Sequence, residues 1–428
     1  MSEGSMRRRP SSPPAAPLPD DDDLLREFLL RLPPLPSSLP GASLVCRRWR
    51  RLVSDPQFLR RFRAFHHRNP TLLGFFVEDI TRLAFVPTLD PPEHIPSSRL
   101  SLPQPRDELW SFLGCRHGLA LLLNRTRLEM TVWDPVTGDQ RRVAVPPGFN
   151  NESPIIAWHG ALLCDDGHAG CHYSKPFKVV LLGCDNVLPH ADRQVCASLY
   201  DSQTGVWSDL ISTSIIGLIC PSKPGILVEN SLYWSVLGNH ENGATLEYDL
   251  DRQILAMIDH PVDAHVTPYS KFQILRMEDR GLGLAILSDG SIQLWEKKAN
   301  SDGGARWMLQ KTIELHMLLS LSSPLKSSCI LGYDEDGHVI FLWTVIGVIM
   351  IQLKSMQFRN LFKTNIIPTY YPYSSFYTAV GDSGAETLNY TWMVVLGSVE
   401  LLYFLASRCC VSIGSSPIPL DWQVRGVV

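Results

Sequence analysis

Ligand-type side chains crowd one short stretch of the chain: Cys164, His168, Cys171 and His172 all fall within CDDGHAGCH. Thiolate and imidazole bind zinc, but a structural zinc draws paired ligands from two well-separated knuckles. Here all four sit on one loop and no second Cys-x-x-Cys follows, so the stretch reads as a loop with incidental Cys and His. Cys409-Cys410 reads the same way. Gly381-Asp382-Ser383-Gly384 offers a candidate serine nucleophile, but the match to such a loop is only four residues long. No His or Asp stands in a supporting motif either. Gly-x-Ser-x-Gly, the phosphate-binding loop, Gly-x-Gly-x-x-Gly and His-Glu-x-x-His do not occur. The expectation is a non-enzyme with no catalytic, cofactor-binding or metal residues and no cofactor.

A third candidate chemistry is cationic. Arginines cluster from Arg47 to Arg68, which invites a nucleic-acid reading. The aromatic residues among them fall on a helical core stripe rather than on a stacking platform, and the whole chain carries a net charge of −4. The cluster is therefore read as a solvated or partner-facing basic surface, with no nucleic-acid partner.

The elements that carry these residues divide the chain in two. Asp20 to Asp23 place negative charge where a helix N-terminus favours it. Leu24, Leu25, Phe28, Leu29 and Leu32 then form one apolar stripe, stopped by Pro33-Pro34. A second helical unit starts near Pro40, with Leu44, Val45, Trp49, Leu52 and Val53 as its stripe. Asp55-Pro56 opens a third, carrying Phe58, Leu59, Phe62 and Phe65 and ending at Asn69-Pro70. Three short amphipathic helices expose more apolar surface than so small a unit can hide, which predicts docking on another protein.

From Leu72 the period changes to short β runs. An aromatic-Asp pair ends a strand, a turn follows, and a second strand leaves it: Trp133-Asp134, Tyr200-Asp201, Tyr248-Asp249 and Tyr333-Asp334, with Ser288-Asp289-Gly290 a weaker fifth. Asp accepts backbone N–H bonds at such a turn, and Gly138, Gly205, Gly290 or Gly337 supplies a positive φ. Trp207 and Trp295 follow their turns and are expected to pack between sheets. Most of these turns recur at the spacing of a four-stranded propeller blade, so residues 70–378 are read as about six or seven blades. An open β-sandwich array is the alternative fold, with more edges to protect.

Composition agrees with a globular, multidomain chain: 428 residues, 45% hydrophobic and 19% charged. Residues 1–19 are Pro/Ser/Ala-rich, lack the apolar core of a secretory signal and are expected to be disordered, with Arg7 to Arg9 a solvated basic tail. A reduced compartment, cytoplasmic and/or nuclear, follows, with most of the ten cysteines as small core residues. The apolar runs Val339 to Leu353 and Trp392 to Ala406 are shorter than the roughly 20 residues a membrane span needs. The first fits a buried hairpin centred on Ile346-Gly347, and the second carries Glu400, so no membrane partner is expected.

The stretch from Leu18 to Phe62 resembles the F-box. The resemblance is carried by Leu18-Pro19, Leu24-Leu25, Leu29, Arg31-Leu32-Pro33, Ser43-Leu44-Val45-Cys46-Arg47, Trp49-Arg50 and Leu52. The later part is similar to the plant F-box-associated, kelch-like β domain. The resemblance implies a substrate-recognition subunit of a Skp–cullin–F-box ubiquitin ligase. It would dock a Skp-type adaptor, and through it a cullin, by its F-box, and a target protein by its β domain. The adaptor-binding residues it implies are Leu18, Pro19, Leu24, Leu25, Leu29, Leu32, Pro33, Leu44, Val45, Cys46, Trp49 and Leu52.

The chain departs from the family pattern in two extra Asp before the first helix, in four prolines between Pro33 and Pro40, and in its C-terminal tail. The expected organisation is a multidomain α + β chain. A disordered tail (1–19) precedes a three-helix F-box (20–66), an all-β propeller-like domain (70–378) and an atypical C-terminal tail (379–428). Two readings stay open beside the ligase: a non-ligase β-propeller interaction scaffold, and an enzyme working in the central channel.

Overall fold

The computed structural model describes residues 22–66, 70–79, 82–102, 105, 107–150, 155–164, 176–185, 192–237, 243–261, 272–288, 290–299, 304–320, 328–363 and 369–377. The expected tails at 1–19 and 379–428 lie outside these residues, as do Gly381 to Gly384 and three of the four ligand-type side chains, His168, Cys171 and His172.

The N-terminal unit has four helices, one more than the periodicity implied: α1 (Asp22–Leu30), α2 (Ser38–Val45), α3 (Arg47–Val53) and α4 (Pro56–His66). The extra break falls at Cys46, which is fully extended at φ −163° and ψ 170°. One extended residue rotates everything after it, so the single stripe expected from Leu44 to Val53 splits. Leu52 and Val53 enter the unit's core, while Leu44 and Val45 stay exposed at the end of α2. That core is Leu29, Leu30, Leu39, Ala42, Leu52, Val53, Phe58 and Phe62.

Six antiparallel sheets follow in chain order and close into a ring. The first blade is Trp110–Arg116, Leu119–Asn124, Glu129–Trp133 and Gln140–Ala144. The second is Ile155–Cys164, Phe177–Asp185 and Asp192–Asp201, with Val206–Trp207 and Ile211–Ile216 both on its outer edge. The third has a broken inner strand, Leu218–Ile219 and Ile226–Val228, then Ser231–Leu237, Ala244–Asp249 and Ile254–Asp259. The fourth is Phe272–Arg276, Leu282–Ser288, Ser291–Ala299 and Ala305–Glu314. The fifth is Ser328–Asp334, Val339–Thr344, Gly347–Gln352 and Phe358–Phe362.

The sixth blade settles the count. It pairs Thr369–Ser375 with Thr71–Asp79, from Thr71 opposite Ser375 to Glu78 opposite Thr369 with one register shift between Leu72 and Gly74, and adds Arg82–Pro87 outside. Strands from the two ends of the β domain zip the ring shut, so closure does not depend on the tail beyond residue 378. The apolar run from Val339 forms the expected hairpin, with Thr344 opposite Gly347. No helix among the described residues is long and apolar enough to cross a membrane.

The aromatic-Asp repeat is partly structural. Asp134, Asp201 and Asp249 all begin the turn from third to fourth strand in successive blades. Each carboxylate accepts the N–H two residues on, from Val136 (3.0 Å), Gln203 (2.8 Å) and Asp251 (3.0 Å). The left-handed position comes four residues after the Asp, filled by Gly138, Gly205 and Gln253. Asp334 sits instead at the turn from first to second strand of the fifth blade, where His338 rather than Gly337 takes the positive φ of 51°. Ser288 precedes a second-to-third turn, and Asp289 lies outside the described residues.

Candidate functional site

α1 and α3 are held together from the polar side. The Arg48 guanidinium donates to Asp22 at 2.7 Å and Arg51 reaches the same carboxylate at 3.3 Å. The Arg48 hydrogen bond holds the Asp22 carboxyl below its usual range. Glu27 pairs with Arg61 at 2.8 Å. Two acids of α1 thus engage part of the arginine cluster, and Phe58 and Phe62 are buried.

On the apolar side the unit is left uncovered. Leu24 is 56% exposed, Leu44 43%, Val45 41% and Phe28 37%. Phe28 packs on the half-buried Trp49 with ring centroids 6.5 Å apart, which brings the exposed flank of α1 beside the α2–α3 junction. The core beneath is complete without these four side chains. Exposed apolar side chains of this kind are common at the centre of protein interfaces.

Among the described residues, side chains bridge the propeller's central channel. The Arg116 guanidinium, at the end of the first blade's inner strand, donates to the Leu162 and Gly225 carbonyls at 2.9 Å each and pairs with Glu335. One side chain therefore ties four blades across the axis. The Cys220–Gly225 segment, which interrupts the third blade's inner strand, fills the rest. Lys223 donates to the Phe272 carbonyl of the fourth blade and the Tyr371 hydroxyl of the sixth donates to the Pro221 carbonyl.

A shallow pocket remains at one mouth, lined by Arg116, His117, Pro224, Asp334, Asp336 and Ser374. Asp334 accepts from the Ser374 hydroxyl at 3.1 Å and from the Gly337 N–H. Burial, with Asp336 alongside, pushes its carboxyl up to about 7. Among the described residues no group of His, Cys, Asp and Glu is placed to hold a metal ion. Cys164 is disulfide-bonded, which the expectation of reduced thiols did not include, while the other described cysteines are in no disulfide.

Comparison with known proteins assigns both halves. The F-box domain matches residues 18–61. The family described as "F-box protein AT5G49610-like, beta-propeller" matches residues 111–372. The chain belongs to this family of F-box β-propeller proteins. It is 22% identical over 244 residues to the F-box/kelch-repeat protein At3g17530 of Arabidopsis thaliana, covering 56% of this chain and 60% of that protein. It is 24% identical over 145 residues to the putative F-box protein At3g17265 of the same plant, covering 31% and 41%. The chain thus spans less than two thirds of either relative. Among solved structures, a lectin from Aleuria aurantia aligns at 11% identity and a TM-score of 0.35 over 60% of this chain and 79% of the lectin, a likeness that carries no argument.

The chain thus joins an F-box to a six-bladed β-propeller. Of the twelve residues the motif singles out, Leu24, Pro33, Leu44, Val45 and Cys46 are exposed, and Leu25, Leu32 and Trp49 are half-buried. Leu29 and Leu52, at 0% and 2% exposure, belong to the F-box core and have no surface to give a partner; they hold the face rather than form it. Leu18 and Pro19 lie outside the described residues. Phe28, on the α1 stripe but outside the motif, is exposed as well.

Proposed function

We propose that the chain is the substrate-recognition subunit of a Skp–cullin–F-box ubiquitin ligase. The uncovered face of α1 and the α2–α3 junction docks the Skp-type adaptor, and the adaptor brings the cullin. The propeller holds a target protein. The chain's part in catalysis is proximity: tethering two reactants raises their effective concentration without any chemistry from the tether.

The observation that carries this reading is the exposure of Leu24, Phe28, Leu44 and Val45 above a core that is already complete. Such side chains are stabilised by a partner or left against water. Affinity purification of the full chain, with and without proteasome inhibition, tests it. Adaptor and cullin should co-purify in both conditions, and the target should be enriched when the proteasome is blocked. Recovery of the chain without adaptor or cullin would favour a non-ligase scaffold.

A further inference from the structure

We propose that the outer edge of the fourth blade, Ala305–Glu314, takes an extended acidic segment of the target protein as a further β-strand, with carboxylates opposite Arg306 and Lys311. The inference rests on the ligase reading, for which it names the class of target.

Ala305–Glu314 is ten residues long, whereas the outer strands of the other blades run from two to six. It ends its sheet, and among the described residues no strand pairs with its far side. A row of backbone N–H and C=O groups is open along it, the template that strand addition uses. Of its ten residues only Ile313 is buried. The strand is nevertheless held in place, because the Trp307 indole N–H donates to the Asp259 carbonyl of the third blade at 2.8 Å.

Side-chain pairing sets which strand fits. Opposite residues of an antiparallel pair share a face. Arg306, Met308 and Lys311, opposite Lys298, Glu296 and Leu294, therefore line one face, and Trp307 and Leu309 the other. Met308 and Leu309 are each 48% exposed. Arg306 faces a like charge, which disfavours the pair. Glu296 is already held by Lys298 at 2.9 Å, and among the described residues neither Arg306 nor Lys311 has a carboxylate partner. On the first and fifth blades the outer-strand arginines are engaged. Arg141 lies over the Phe177 ring, Arg142 pairs with Glu129 at 3.5 Å and Arg359 with Asp90 at 3.3 Å. The fourth blade thus joins open backbone groups to unpaired cations and exposed apolar side chains. A strand alternating acidic and apolar residues satisfies all three.

Cations and a bulge also guard an edge against pairing with its own kind. Gln310 is passed over in the register, and Arg306 and Lys311 would repel a second copy of this edge. That repulsion does not act against an acidic strand.

The test uses the full chain and a dye-labelled peptide of matching length that alternates glutamate and valine, read by fluorescence anisotropy at low ionic strength. The peptide should bind saturably. It should bind about tenfold more weakly to Arg306→Glu/Lys311→Glu, since two favourable cross-strand pairs become like-charge pairs. A lysine–valine peptide should show the reverse preference. Hydrogen exchange should slow along Ala305–Thr312 when the acidic peptide is bound, as strand addition requires. No saturable binding up to about 1 mM peptide overturns the proposal. So does equal binding by wild type and variant, or protection that misses this strand. Should the double variant fail to fold, Lys311→Gln and the exchange pattern of the wild type decide, with the same readings. Adaptor co-purification on the same chains separates the two readings. Peptide binding without adaptor would sink the ligase reading alone, and adaptor capture without peptide binding the edge alone.

Discussion

Replacing Leu44 by aspartate separates the adaptor face from the F-box core. Fully burying a leucine is worth about 1.5–3 kcal/mol. Since 43% of Leu44 remains open, cover by a partner contributes roughly 0.6–1.3 kcal/mol through this side chain. A carboxylate in its place adds the cost of an unpaired charge against an apolar surface, about 3–5 kcal/mol. The sum corresponds to a loss of adaptor affinity of more than about 300-fold.

Folding should barely respond to the same change. The site is exposed and one residue from the end of α2, where a negative charge costs about 0.3–1 kcal/mol. Titration calorimetry with purified adaptor, beside thermal melts of the full chain, reads both effects. The contrast is Leu29→Ala: Leu29 is wholly buried, so this change should lower F-box stability by about 2–5 kcal/mol and weaken binding only through unfolding. A Leu44→Asp chain that melts normally and binds within tenfold of wild type would refute the reasoning.

Three further outcomes follow from the blades. Arg116→Ala leaves Glu335 in the channel without its charge partner and should destabilise the propeller by about 3–5 kcal/mol, read as a lower denaturant midpoint. Burial raises the Asp334 carboxyl to about 7, so the folded chain holds its proton more tightly than the unfolded one. Stability from this group is therefore full below the unfolded value near 4 and is lost as pH rises toward 7. Wild-type melting temperature should fall more over that window than that of Asp334→Asn, and parallel curves would contradict the assignment. Trp207 and Trp307 each donate an indole N–H to the outer strand of the preceding blade, at the Ala144 and Asp259 carbonyls. Replacing either by Phe should cost about 0.5–1.5 kcal/mol. The two losses should add, because the sites lie in different blades.

The helices were legible because Leu24 to Leu32 and Phe58 to Phe65 keep a helical period between Asp and Pro signals. The break at Cys46 was not, since Val45-Cys46-Arg47 contains neither Gly nor Pro to mark it. For the same reason the division of labour along α1 was hidden: Leu24, Phe28 and Leu29 share one stripe, and packing alone decides that Leu29 goes in while the other two stay out. Propeller architecture showed in the Asp-led turns at Asp134, Asp201 and Asp249, whose hydrogen bonds are local. Blade number did not, because it rests on pairing between Thr71–Asp79 and Thr369–Ser375, nearly three hundred residues apart in sequence. The bonds that Arg116 and the Cys220–Gly225 segment make across the channel depend on the same long-range arrangement.

Hydrogen exchange of the full chain with and without a purified Skp-type adaptor tests the docking face most directly. Protection should appear on the segments carrying Leu24, Phe28, Leu44 and Val45 and leave the blade strands unchanged. Protection confined to the blades, or none at saturating adaptor, would contradict it.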